Sequence, residues 1–409
     1  MPEIIRTVLP NGVRIVAEPF DTVQTAALGI WCLTGSRLET DRQAGISHVI
    51  EHMLFKGTER RTAQQIAEEI EGRGGYLNAF TNREVTCYYA RVLSEDVLAA
   101  LDVLSDMLLH SLFDPDELEK EKRVIQEEIR KYEDSPEELV HDLHAQNRWA
   151  NHPLGRPIIG THETVGSFTR DDCLAFLRER YVAGKIVVAI AGSFDPKEFE
   201  RAVAEQLEPL SGDFELPNEP PPVVSDGEHF LEREVEQVHF CIGGEGPNAF
   251  DEDRFAMSVL DGILGDGMSS RLFRKIREER GLAYAIGSYR SAYREAGAFT
   301  IFGGTSKETF DEVRDLVRAE LVKLRTEDVP SDELERAKKS IKGSIVMAQE
   351  ATANRMRRIA ANELMFERDV PIEEIVQQIE STSASDIRRL AEQYLDPDAL
   401  TTTAILPAG

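Results

Sequence analysis

The chain has 409 residues, 41% hydrophobic and 30% charged, which is ordinary globular composition and enough for two or more domains with cores of their own. Its formal net charge of −27 repels nucleic acid and favours cationic partners, or simply keeps an acidic surface solvated. No apolar run approaches the roughly 20 residues that a membrane-crossing helix needs, so neither nucleic acid nor membrane is an expected partner.

The opening stretch MPEIIRTVLPNGVRIV has no charged segment followed by an apolar one, and is not the Arg- and Ser-rich amphipathic pattern of a transit peptide. Strands are expected at 12–18 and 25–33, where Val, Ile, Thr and aromatics cluster. Helical periodicity follows at 43–56 and 62–72, then strand character with a bend at 76–90. Further helices are expected at 94–110, 115–132, 136–148 and 169–181, and a strand at 186–192. Asp114-Pro115-Asp116-Glu117 makes a good helix start, with a proline and acids in the first turn. Cys32, Cys87, Cys173 and Cys241 are scattered in apolar contexts. They read as buried free thiols of a reducing compartment, so a cytoplasmic location is expected.

Residues 207–228 hold Pro209, Pro217, Pro220, Pro221 and Pro222 among acids and read as an extended spacer. The expected domains are therefore 1–206 and 229–409, separated by that linker. The halves look like diverged repeats. PDELEKEKRVIQEEI at 115–129 parallels SDELERAKKSIKGSI at 331–345, and HVIEHML at 48–54 parallels SVLDGIL at 258–264. Neither half alternates strand and helix strictly. The expected class is α+β, with two homologous domains that are each a mostly antiparallel mixed sheet covered by helices.

Residues 48–52 read His-Val-Ile-Glu-His. On a helix, His48 and His52 share a face with Glu51 beside them, a spacing at which two imidazoles can hold one zinc ion. A neighbouring carboxylate can then take a proton from metal-bound water. A catalytic zinc needs a third protein ligand. Glu121 and Glu128, seven apart on one helix, share a face, and spacing alone leaves open which of them ligates. Glu127 points elsewhere and reads as solvated surface. In the second repeat Ser258, Gly262 and Ser344 stand where His48, His52 and Glu128 stand in the first. The metal site is therefore expected in the first half only. His141 and His144 lack a completing ligand and read as partly exposed histidines.

The order His-x-x-Glu-His is the inverzincin signature. The stretches GISHVIEHMLFKGT (45–58), GGYLNAFTNREVTCYY (74–89), EKRVIQEEI (121–129), PLGRPIIGT (153–161) and GMSSRLFRKIREERGLAY (267–284) extend the likeness across nearly the whole chain. On these stretches the chain resembles the pitrilysin and insulinase class of zinc metallopeptidases, in the branch of the mitochondrial processing peptidase β-subunit and its bacterial relatives. The resemblance implies one zinc ion per chain, held by His48, His52 and Glu128. It implies Glu51 as general base, Glu121 as a supporting carboxylate, and Arg277 and Tyr284 as donors to the substrate backbone and the oxyanion. Asn78 and Ala79 are implied to lie on an edge strand that pairs with extended peptide. Glu138 and Asp142 would receive a basic side chain before the cleavage point, and Phe55 would line the pocket after it. A homodimer enclosing short or unfolded peptides is also implied. The rival expectation, drawn from the same class, is a non-catalytic or partner-dependent scaffold subunit.

Overall fold

The computed structural model describes residues 3–217 and 219–408. The first half runs β1 (Ile5–Val8), β2 (Arg14–Pro19), β3 (Thr25–Cys32), α1 (Ile46–Leu54), α2 (Ala63–Glu71), β4 (Tyr76–Thr81), β5 (Thr86–Leu93), α3 (Val97–His110), α4 (Pro115–Glu133), α5 (Pro136–Arg148), α6 (His162–Ser167), α7 (Arg170–Arg180), β6 (Ile186–Gly192) and α8 (Pro196–Gln206). The second half runs β7 (Gly227–Arg233), β8 (Val238–Gly246), α9 (Arg254–Leu264), β9 (Ala283–Ala292), β10 (Gly297–Thr305), α10 (Phe310–Thr326), α11 (Ser331–Ala348), α12 (Thr352–Phe366), α13 (Ile372–Ser381), α14 (Ala384–Tyr394) and β11 (Thr401–Pro407). The expected bend at 76–90 is the β4–β5 hairpin turn. The sequence reading passed over β1, α6 and α8.

The strands form two sheets, ordered β1-β2-β6-β3-β5-β4 and β7-β11-β8-β10-β9. With β1 removed the two orders coincide strand for strand. Each sheet has one parallel pair, β2 with β6 and β7 with β11, and its other neighbours are antiparallel. This is the expected α+β class, and the shared order is the structural form of the sequence repeat.

Two compact units result, and they do not follow a simple cut at the linker. The first takes the chain up to Arg130, then from Arg156 into the linker, then Ala348–Val370; the second takes Lys131–Gly155, the linker end to Met347, and Pro371 onward. The expected domains 1–206 and 229–409 thus each lend a helix to the other. Alternation along the strands explains why. In the first sheet Leu28, Ile30, Tyr88, Val188 and Ile190 face α1 and α3, while Ala27, Trp31, Cys87, Val187 and Ala189 face the other way. That second face is covered by Met356, Ile359, Ala360 and Leu364 of α12. In the second unit, α5 sets Val140 against Cys241 and Ile405. An amphipathic helix shows in its sequence that it has an apolar face, but not which sheet the face meets.

Helix α12 is also fixed by charge. Arg355 and Arg358 donate to the two oxygens of Glu18 at 2.6 and 3.1 Å, and Arg6 and Arg14 donate to Glu363 at 2.7 and 3.2 Å. Both acids are almost fully buried, so each such contact must be complete to be tolerated.

No helix or strand forms between Gln206 and Gly227 among the described residues; Asn218 of the expected linker lies outside them. The linker's early part is anchored to the first unit. Asn11 donates to the Leu207 and Leu210 carbonyls, and Lys185 pairs with Asp213. All four cysteines are buried and free, as expected.

Candidate metal centre

Helix α1 starts where two glycines cross. Gly45 has φ +93° and Gly160 φ +79°; a Cβ on Gly45 would meet the Ile159 carbonyl at 2.7 Å, and one on Gly160 would meet the Ala44 carbonyl at 2.4 Å. No other residue fits either place. The first amides of the helix are taken by Glu39, whose two oxygens accept from the Gly45 and Ser47 N–H groups at 2.8 Å each. Burial pushes the Glu39 carboxyl up to about 7, against the pull of those amides. Ile46, Val49, Ile50 and Met53 then enter the core, which leaves His48, Glu51 and His52 on the opposite face.

The long helix α4 brings its carboxylates to that face. Glu128 Oε2 lies 3.8 Å from His48 Nε2 and 3.9 Å from His52 Nε2. His48, His52 and Glu128 each offer one atom, and these atoms all fall within 4.8 Å of one another. This is the one such metal-competent group found among the described residues. Glu121 sits two turns earlier and meets the other side of the His52 ring, Nδ1 to Oε2 at 3.0 Å, and it also holds Lys56 Nζ at 2.7 Å. The tautomer that donates Nδ1–H to Glu121 presents its Nε2 lone pair toward Glu128. Where spacing had left two candidate ligands, the geometry separates them by ring nitrogen. Glu127 pairs with Arg130 on the helix surface.

The donor set fits a zinc ion. Two imidazole nitrogens and one carboxylate oxygen are the 2-His-1-Glu set of catalytic zinc. His48 is lowered to about 3 by its burial and by His52, so its ring is neutral, the form that ligates. Glu51 completes the face. Its carboxyl is raised, chiefly by burial, and it accepts from Thr81 Oγ1 at 2.5 Å. Glu39, Lys56 and Thr81 were not found from sequence. Each acts through a fold contact, and only Lys56, four residues after His52 and just past the end of α1, left a positional trace.

The remaining expected site residues divide between the units. Phe55 caps the end of α1, with its ring 6.4 Å from that of Tyr88. Asn78 and Ala79 lie on β4, which is an edge strand as expected, and α1 packs against it. In the second unit Arg277 belongs to a π-helical turn, Phe273–Glu278. Its guanidinium is held between two rings, 4.8 Å from the centre of Phe273 and 4.6 Å from that of Tyr284, and Tyr284 is 79% exposed. Glu138 and Asp142 stand one turn apart on α5, also in the second unit. His144 departs from expectation. It is buried, because α5 presses it onto the second sheet beside Thr403. His141 is half-buried against Tyr289 and Cys241.

The profile described as insulinase (peptidase family M16) matches residues 14–162. An "uncharacterized zinc protease", YmxG of Bacillus subtilis, is 39% identical over 97% of this chain and 96% of its own length. The chain belongs to the M16 peptidase family. A second family profile, described as the M16 inactive domain, matches residues 167–341, the stretch in which Ser258 and Gly262 stand in place of the histidines. The fold likeness extends to solved structures. The crystal structure of a protease from Helicobacter pylori superposes with a TM-score of 0.93 at 21% identity, covering 100% of both chains. A structure from Pseudomonas fluorescens titled for the M16 inactive domain gives 0.93 at 20% identity, covering 99% of this chain and 98% of that one. In this M16 chain the first profile contains His48, His52 and Glu128.

Proposed function

We propose that this chain is a zinc endopeptidase that cleaves short or unfolded peptides bound in extended form. The observation that carries this reading is the convergence of His48 Nε2, His52 Nε2 and Glu128 Oε2 beside the half-buried carboxylate of Glu51. One zinc ion per chain, held by those three residues, would lower the pKa of its water and polarise the scissile carbonyl. Glu51 takes the proton and passes it to the leaving amine, and its raised affinity for protons suits a group that must hold one briefly. Glu121 keeps His52 in the ligating tautomer. The edge of β4 offers main-chain groups to an extended peptide. Arg277 and Tyr284 serve as hydrogen-bond donors to the peptide and to the developing oxyanion. Glu138 and Asp142 receive an arginine before the cleavage point, and Phe55 favours an apolar residue after it.

No described helix is long and apolar enough to cross a membrane. A cytoplasmic homodimer completes the proposal. Metal analysis of the purified chain together with cleavage of a quenched peptide tests the core of it. The expected result is one zinc per chain and turnover that a chelator abolishes and zinc restores. A chain that binds zinc yet cleaves only after a second protein is added would support the partner-dependent reading instead.

A further inference from the structure

The second unit contains a cavity of about 400 Å³ where α9, α11 and α13 meet the β9 edge strand. It occupies the repeat position of the metal centre. On the sequence repeat Ser258, Gly262, Ala337 and Ser344 replace His48, His52, Glu121 and Glu128. All four line the cavity, so its volume is the space that two imidazoles and two glutamates would have filled. This size falls within the usual range for small-molecule sites.

The cavity has kept one acid. Asp261 stands at the position of Glu51 and is only 7% exposed. Its Oδ1 accepts from Ser288 Oγ at 2.5 Å, much as Glu51 accepts from Thr81. Its Oδ2 forms an ion pair with Arg290 Nε at 3.9 Å, beyond hydrogen-bond reach, so it accepts no hydrogen bond from that side chain and leaves room for one nearer donor. Of the other charged side chains of the lining, Glu333 takes two bonds from Arg271, Arg336 reaches Asp332, and Arg254 donates to the Asp251 carbonyl. Asp266 adds a second acid at the rim. One open oxygen in a partly dry pocket calls for a single-point donor, which an ammonium is and a forked guanidinium is not. Ile341, Ile375 and Ile379 form an apolar wall for a short chain.

We propose that this cavity is a second, metal-free binding site that takes a primary alkylammonium group, its nitrogen on Asp261 Oδ2 and its chain against the isoleucines. The site lies wholly in the second unit and does not depend on the zinc chemistry proposed above. A free amine and a lysine side chain share the required chemistry.

The test is calorimetric titration of the full zinc-loaded chain with n-butylamine, set against butan-1-ol and n-butylguanidine, with Nα-acetyl-lysine methylamide as the peptide-side-chain probe. The expected result is saturable binding of one n-butylamine, at least tenfold tighter than the alcohol or the guanidine. Asp261→Asn should weaken it at least tenfold with zinc content unchanged. Gly262→Leu should block it, since a Cβ at Gly262 meets nothing closer than Ile341 at 3.4 Å and a longer side chain grows into the cavity. Ser344→Leu serves if that variant fails to fold. Glu51→Gln should leave amine binding unaltered. Equal binding of amine and alcohol, no saturable binding, or wild-type affinity in both Asp261→Asn and a cavity-filling variant would overturn the site. If the lysine probe matches n-butylamine the natural source is a peptide; if it binds at least tenfold less, the source is a free amine.

Discussion

The two units run their strands in the same order, yet one gathers two histidines and a glutamate and the other encloses a cavity. The strands, the helix against the edge and the hydroxyl-bonded acid are common to both. What differs is a handful of side chains on two helices, α1 and α4 against α9 and α11. The fold therefore sets where chemistry could occur, and the side chains decide whether it does. The same comparison ranks the experiments that would break it.

The largest effect is expected from separating the halves. Residues 1–206 lack α12, so Trp31, Val187 and Ala189 lose their cover and Arg6 and Arg14 lose Glu363. The fragment should show no cooperative unfolding and hold no stoichiometric zinc. A stably folded, zinc-binding fragment 1–206 would mean that the exchanged helix is ornamental.

Within the first unit, Glu51→Gln should keep its zinc and lose turnover by roughly 10²–10⁴-fold, the usual scale for a general base. Wild-type turnover would remove Glu51 from that role and erase the main functional difference between it and Asp261.

In the second unit, Asp261 should reveal itself by pH. Burial, ahead of the opposing Ser288 bond, raises it to about 6 from 3.8. Between those values the folded carboxyl holds a proton that the unfolded one has released, so stability falls as pH rises through that window. Asp261→Asn removes this loss. The variant should match wild type near pH 4 and gain roughly 3 kcal/mol by pH 7, read from denaturant unfolding at each pH. A gain that does not vary with pH would reject the titration.

A smaller change is expected at Glu121. Glu121→Gln should lower zinc affinity or activity by roughly 10–100-fold, as changes behind a metal ligand do. Glu128→Gln should strip most of the zinc. The reverse ranking in metal stoichiometry would exchange the two assignments.

The smallest effect concerns α5. Glu138→Gln with Asp142→Asn should lower kcat/KM for arginine peptides several-fold and leave neutral peptides nearly unchanged, because Glu138 is exposed and such contacts contribute roughly 0–1 kcal/mol unless desolvated. An unchanged arginine preference in a peptide library would leave the acids as solvated surface.

Much of this architecture is legible in the sequence. The spacing of His48 and His52, the buried run 186–192 and the repeat at 115–129 and 331–345 depend on local pattern, and local pattern survives in sequence. The exchange of α5 and α12 did not show, since both helices carry an apolar face and nothing in that face names its sheet. Spacing alone did not separate Glu121 from Glu128, because both lie on one helical stripe; the family resemblance did, and the His52 ring faces Glu121 with Nδ1 and Glu128 with Nε2. Glu39 was hidden for a similar reason. Its partners are backbone amides, which carry no sequence mark.

The traded helix also sets a clock on synthesis. The first sheet is complete in the growing chain at β6, but its second face stays bare until α12 has been made. At ~5–20 residues per second, that is a delay of roughly 10–30 s. Throughout it the nascent first half presents Trp31 and a row of small aliphatic residues to whatever is near. The protein therefore reaches its native state only after most of the chain has left the ribosome, and a holding chaperone would find its target on that uncovered face.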